Sequence, residues 1–249
     1  MRYLLSAVVL MLLWEALPRA FAIPTFMLPR LSDVLAEIGR GWPAMQINIG
    51  ITSVAVIASF ALSVLIGLAL ACAVHVFSVA RVSLEPLILI SQLFPRIALA
   101  PIIMVWLGWG FHSKIAIAVL IAFFPIYEGL RTGLARADPN LLLQGKLLGY
   151  SRAWRLFRLE LPLSTPHLFV GMRTASLFAV VGVIVAEFLA SGDGVGLRIV
   201  EDMGRGETAS AFAYVLIVAL AGSLFYTSIA LIERIVLSWL HLSAEARTG

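Results

Sequence analysis

Charge is scarce in this 249-residue sequence: Asp, Glu, Lys and Arg together make up 13% of it, against roughly a quarter in a soluble domain. Together with the 61% hydrophobic content, that deficit excludes water as the main solvent. Cysteine is scarcer still. The single one, Cys72, rules out an intrachain disulfide or a cysteine cluster for metal or redox chemistry, and within its apolar run it reads as a small lipid- or core-facing residue. No GxxxxGK[ST] segment occurs, so the chain lacks the loop that cradles ATP phosphates. The histidines His75, His112, His167 and His241 show neither HExxH nor paired spacing, which argues against a metal site. No nucleophile and base visibly converge, so no catalytic residue is assigned and an intramembrane hydrolase is disfavoured. The modest net charge of +4 does not imply a nucleic acid partner.

What the sequence does have is apolar runs, near 3–17, 49–76, 84–107, 115–130, 168–190 and 211–231. Crossing about 30 Å of hydrocarbon takes roughly 20 residues. The expectation is an all-α integral membrane protein with about six transmembrane helices, and residues 1–249 form a single transmembrane domain. In the first run, Arg2, the short apolar stretch and Ala20-Phe21-Ala22 also match the outline of a cleavable secretory signal, and Glu15 and Pro18 fit both readings poorly. Counting basic residues in the connections gives ten on the side of the termini and six on the other, which predicts cytoplasmic termini.

Pro86, Pro95 and Pro101 predict a bent third span, and Arg96 near its middle predicts that it faces the protein interior. A cation within a span costs about 2.5–3.5 kcal/mol and so takes a partner. For Arg96 the candidates are an anionic solute or Glu187, a carboxylate near the end of the fifth run. Both residues are candidates for a solute pathway. Arg173 is expected to snorkel toward the interface. The stretch 191–196 lacks the lysine and hydroxyl of a phosphate loop and reads as a flexible outer turn. Gly67, Ala69, Ala98, Ala175 and Gly182 are the small residues expected at helix contacts.

The connection at about 137–166 is the one long loop on the basic side. Asp138 can cap a helix whose first position is Pro139, and Gly149 can stop it in the left-handed conformation. Ser151 caps a second helix with Arg152, Arg155 and Arg158 on one face and Trp154, Phe157 and Leu161 on another, which Pro162 and Pro166 are expected to end. An amphipathic pair of this kind suits either a groove on a partner protein or the membrane surface. A DNA-binding helix-turn-helix is disfavoured because both ends are tethered in the membrane.

Gly149 and, at the required distance, Leu161-Pro162 resemble the EAA motif of ABC importer permeases, written EAA, three residues, Gly, nine residues, Ile, one residue, Leu-Pro. Leu159 stands at the isoleucine. Leu143, Gln144 and Gly145 stand at Glu-Ala-Ala, so the motif's acidic residue is missing. The stretches IPTFMLPRLSDVL, FPRIALAPIIMVWLGWG, GLRTGLARADPNLL, VGMRTA, VIVAEFLASGDGVG and ERIVLSWL extend the similarity along most of the chain, toward permeases of the sulfonate, nitrate and taurine type. The resemblance implies a bacterial inner-membrane protein in lipid, acting as a permease homodimer. Each chain would dock an ABC ATPase subunit, and a periplasmic or surface-tethered binding protein would deliver the solute. ATP would sit on the partner subunit, with no cofactor on this chain. The ATPase-coupling positions implied are Asp138, Pro139, Leu143, Gln144, Gly145, Gly149, Tyr150, Leu161 and Pro162. The competing reading is an ion-gradient-driven secondary transporter, for which repeat symmetry is expected and not seen.

Overall fold

The computed structural model describes residues 2–190 and 192–240. Four helical runs there are long and apolar enough to cross a membrane: α2 (Leu31–Val76), α5 (Phe111–Ala135), Arg152–Leu189 and α10 (Thr208–Trp239). A fifth apolar stretch is a bent helix pair, with the form of a broken span or a re-entrant loop. α3 (Ser78–Ser91) and the run Arg96–Leu107, a 3-10 turn leading into α4 (Ala100–Leu107), are bent by 94° at the Pro95 junction. With the shorter α1 (Arg2–Ala20), these account for the six apolar runs of the sequence. The loop helices are α6 (Pro139–Leu147) and α7 (Arg152–Arg155), a π turn (Leu156–Glu160) leads into α8 (Leu161–Ala190), and α9 (Val195–Arg205) precedes α10; the described residues contain no strand.

Glu15, awkward in an apolar run, has a structural use. Its carboxylate accepts from the Ser32 backbone N–H and hydroxyl, both at 2.9 Å, satisfying a donor in the first turn of α2 that has no intrahelical partner. Trp14 donates to the Pro29 carbonyl at 3.1 Å, fastening the same corner. α2 starts well before the apolar run that announces it and continues through Pro43. Its early turns are held by burial: Val34 and Met45 pack with Val195, Ala213 and Tyr214.

α5 and α8 form an antiparallel seam in which glycine is a steric requirement. A Cβ on Gly129 would lie 2.6 Å from the His167 carbonyl oxygen, on Gly133 2.8 Å from Ser164 Cβ, and on Gly182 2.7 Å from Ala118 Cα. Gly67 brings α2 onto Ile126 in the same way, at 2.8 Å. Without a hydrophobic force between helices in lipid, such close backbone approach supplies the packing energy. Of the small residues expected at contacts, Gly67, Gly182 and the buried Ala175 are placed there, whereas Ala69 and Ala98 are exposed.

The second loop helix does not end at Pro162 or Pro166. It runs through the π turn into α8. The Leu161 N–H reaches back five residues to the Leu156 carbonyl, and this wider turn relieves the clash that a following proline ring would otherwise make. Hydroxyls of Ser164 and Thr165 donate to the carbonyls of Glu160 (2.6 Å) and Leu161 (3.2 Å), re-satisfying backbone around the prolines as membrane helices require.

Candidate functional site

The loop between α5 and α8 is built by local chemistry. Asp138 Oδ1 accepts from the Asn140 N–H at 2.8 Å, capping α6 with Pro139 at its first position. At the other end Gly149 adopts φ +78°. Its N–H donates to the Lys146 carbonyl, and the Tyr150 N–H to that of Gly145, both at 3.0 Å; these are the two bonds of a Schellman stop, and the left-handed residue there is easiest as glycine. Ser151 Oγ then accepts from the Trp154 N–H at 3.2 Å to start α7.

The two loop helices touch where Gly145 is buried: a Cβ there would be 3.1 Å from Arg155 Cδ. Tyr150 and Trp154 stack with ring centroids 3.9 Å apart. Gln144 is exposed, as are Leu143, Leu147, Leu148 and Phe157, Leu147 at 79%. Leu161 and Pro162 are half-buried at the base of α8. The loop thus presents an apolar and aromatic outer surface on a rigidly capped frame.

Contacts to His75, outside the motif, tie this frame to the bundle. Glu160, buried just before α8, lies 2.5 Å from His75 Nε2 at the end of α2. Arg152 donates to the His75 carbonyl at 3.4 Å, and so does Arg81 at 3.2 Å. Neither His75 nor Glu160 is singled out as a pair by the sequence, although a carboxylate immediately ahead of an apolar span is itself a signal. His241 and Arg247 lie outside the described residues, as does Ser191.

At the opposite end of α8, Glu187 is fully buried. Its partner is not Arg96. Glu187 accepts from Thr52 Oγ1 at 2.9 Å, from the Gly196 N–H at 2.8 Å and from Lys114 Nζ at 3.4 Å. Lys114, itself 2% exposed, also donates to the Asp193 carbonyl at 2.9 Å and to its carboxylate. Thr52 in turn accepts from the Val195 N–H at 2.9 Å. The stretch after Ser191, expected as a flexible turn, is therefore the cover of a buried ionic node: Gly194, at φ +103°, turns the chain so that the Val195 and Gly196 N–H groups point inward.

Arg96 donates through Nη1 to the Ile121 carbonyl at 3.0 Å. That carbonyl lies four residues before Pro125, which has no N–H to offer it. The guanidinium thus fills a hydrogen bond that the α5 proline leaves open. Arg173 pairs with Glu233 of α10 at 3.2 Å in place of the expected snorkelling.

The described residues form a helical bundle of membrane spans with a capped helical pair between two of them, the architecture of a multi-pass membrane protein. Residues 63–240 match the family described as binding-protein-dependent transport system inner membrane component, and the chain belongs to that family. It is similar to the formylaminopyrimidine transport permease protein ThiX of Halalkalibacterium halodurans, 29% identical over 92% of each chain. It is also similar to the putative aliphatic sulfonates transport permease protein SsuC of Bacillus subtilis, 30% identical over 63% of this chain and 56% of that one. Among solved structures, the inward-facing MetNI methionine ABC transporter shares the fold, with a TM-score of 0.61 at 16% identity over 81% of this chain and 97% of the other.

Proposed function

We propose that this chain is the transmembrane subunit of an ATP-driven importer. It works as a homodimer with both termini in the cytoplasm, one ABC ATPase docks on each Asp138 to Tyr150 segment, and a binding protein delivers the solute from outside. The observation that carries this reading is the loop itself: a helix capped at both ends, with exposed Leu143, Leu147 and Leu148 facing outward, is a preformed surface for a groove on another protein. Fastening of the π turn to α2 through His75 and Glu160 gives a push on that surface a path into the spans. With exposed Leu143 at the motif's acidic position, the surface relies on apolar contact, and Gly145, at the second alanine, keeps the two loop helices close.

The solute is a small molecule of the kind named for the relatives, which include a formylaminopyrimidine and aliphatic sulfonates. Arg96, one candidate contact for an anionic solute, is engaged with the α5 backbone. ATP chemistry belongs to the docked subunit, and this chain carries no cofactor.

Gentle purification of the tagged chain from its native membrane should recover a stoichiometric ABC ATPase, identified by mass spectrometry. Gly149→Val should leave the protein in the membrane but weaken that capture. A branched side chain in the left-handed turn costs about 1–2 kcal/mol, a factor of roughly 5–30 in an equilibrium. Intact protein without any ATPase after crosslinking would move the reading to an ion-gradient-driven carrier. Unchanged capture by the Gly149 variant would remove that turn from the docking surface.

A further inference from the structure

Between α5 and α8 a groove of about 460 Å³ opens beside the glycine seam, within the size range of small-molecule sites, about 300–1,000 Å³. Gly129 and Gly171, where the two helices pack most closely, are part of its lining. Phe124 and Phe178 line its half nearer the middle of the spans, and Thr132 and His167 the half nearer the coupling loop, with Glu128 and Thr174 also in the lining. The polar lining lies on helices read as spans. A carboxylate facing lipid is costly, and polar groups on spans mark water-filled pathways or protein contacts.

The free chemistry of this groove is mostly that of acceptors. The Glu128 carboxylate is 38% exposed and takes hydrogen bonds from Arg131 at 3.1 and 3.2 Å and from Thr132 at 3.3 Å, leaving part of its four-site accepting capacity. Thr174 donates to the Val170 carbonyl at 3.1 Å, so its remaining capacity is to accept. His167 Nδ1 is buried and has no hydrogen-bond partner among the described residues. Of the nearby cations, Arg131 bridges Glu128 and Glu85, and Arg136, exposed and outside the lining, lies 3.3 Å from His167 Nε2.

We propose that this groove is a solute subsite for a planar heteroaromatic amine, its ring lying against Phe124 and Phe178 and its N–H groups donating to Glu128 and the threonine hydroxyls. A sulfonate, which carries only acceptors and a negative charge, would meet the carboxylate with no free cation in the lining to offset it. The proposal rests on the permease reading and adds to it the class of molecule carried.

The test uses whole transporter in native membranes with Cys72→Ala as background and Val170→Cys, an exposed lining position without a polar role, as reporter. A water-soluble maleimide should label the reporter faster than Leu224→Cys, an exposed position on α10. Added 4-amino-2-methylpyrimidine should slow labelling saturably, by about tenfold at ~10 times the half-protecting concentration, while ethanesulfonate should not. Labelling no faster than at Leu224→Cys would mean that lipid or a helix of a second copy fills the groove, and would overturn the proposal. Protection by ethanesulfonate alone, or by neither compound, would overturn it as well. ATPase capture by the unmodified chain is scored in parallel: if capture succeeds and labelling or protection fails, only the groove assignment falls, and if capture fails the permease reading falls with it.

Discussion

Lys114→Met should destabilise the detergent-solubilised protein by about 3–5 kcal/mol, the usual cost of removing one partner from a buried ion pair. Glu187 is fully buried; it would keep its bonds from Thr52 and Gly196 but lose the charge that balances it. The diagnostic comparison is the double variant Lys114→Met/Glu187→Leu. Because replacing both charges removes the need to compensate either one, it should recover much of the loss, and thermal unfolding monitored by size exclusion reads all three proteins. Equal stability of the single variant and the parent would mean that Thr52 and the Gly196 N–H alone hold Glu187 in this corner. A double variant as unstable as the single would show that the polar contacts, and not the charge balance, carry the energy.

Gly171→Ala should be nearly as damaging with a single added carbon. Its Cβ would collide with the Pro125 carbonyl oxygen and come within 3.0 Å of Pro125 C and 3.1 Å of Ile126 Cα. These are backbone atoms, so relief requires α5 and α8 to separate along the seam. The expected cost is about 3 kcal/mol, at the upper end of ordinary overpacking, and Gly171→Leu should give no folded protein. The control is Gly50→Ala in α2, where nothing lies within 4 Å of the new atom; there helix propensity predicts a gain of up to about 1 kcal/mol. Melting temperatures that move in the same direction for both variants would refute the steric account.

Features written in neighbouring residues were legible in the sequence. Asp138-Pro139, Gly149 and Ser151 set the loop's turns through bonds spanning at most five residues, so turn chemistry alone places them. Apolar runs announced the spans, because lipid leaves a helix few alternatives. The start of α2 at Leu31 was not legible, since Val34 and Met45 are buried by α9 and α10 from the far end of the chain. The partner of Glu187 was missed for a related reason. Lys114 sits 73 positions away, at the edge of an apolar run where hydropathy assigns it to an outer loop. Arg96 shows in the sequence as a charge in need of an anion, whereas the group it meets is a carbonyl left open by a proline in another helix. Gly129 and Gly133 also make a GxxxG pair across the end of the apolar run near 115–130, a recognised mark of close helix packing.

The π turn at Leu156–Glu160 carries one residue more than the α turn it replaces. Relaxing it to α geometry would change the angular phase of everything upstream by roughly 100° about the α8 axis, the angle of one residue. Trp154 would sweep more than a quarter of a circle while α8 below kept its orientation, converting a small axial displacement at the loop into torsion. The His75–Glu160 contact is the detent that such a screw motion has to pass.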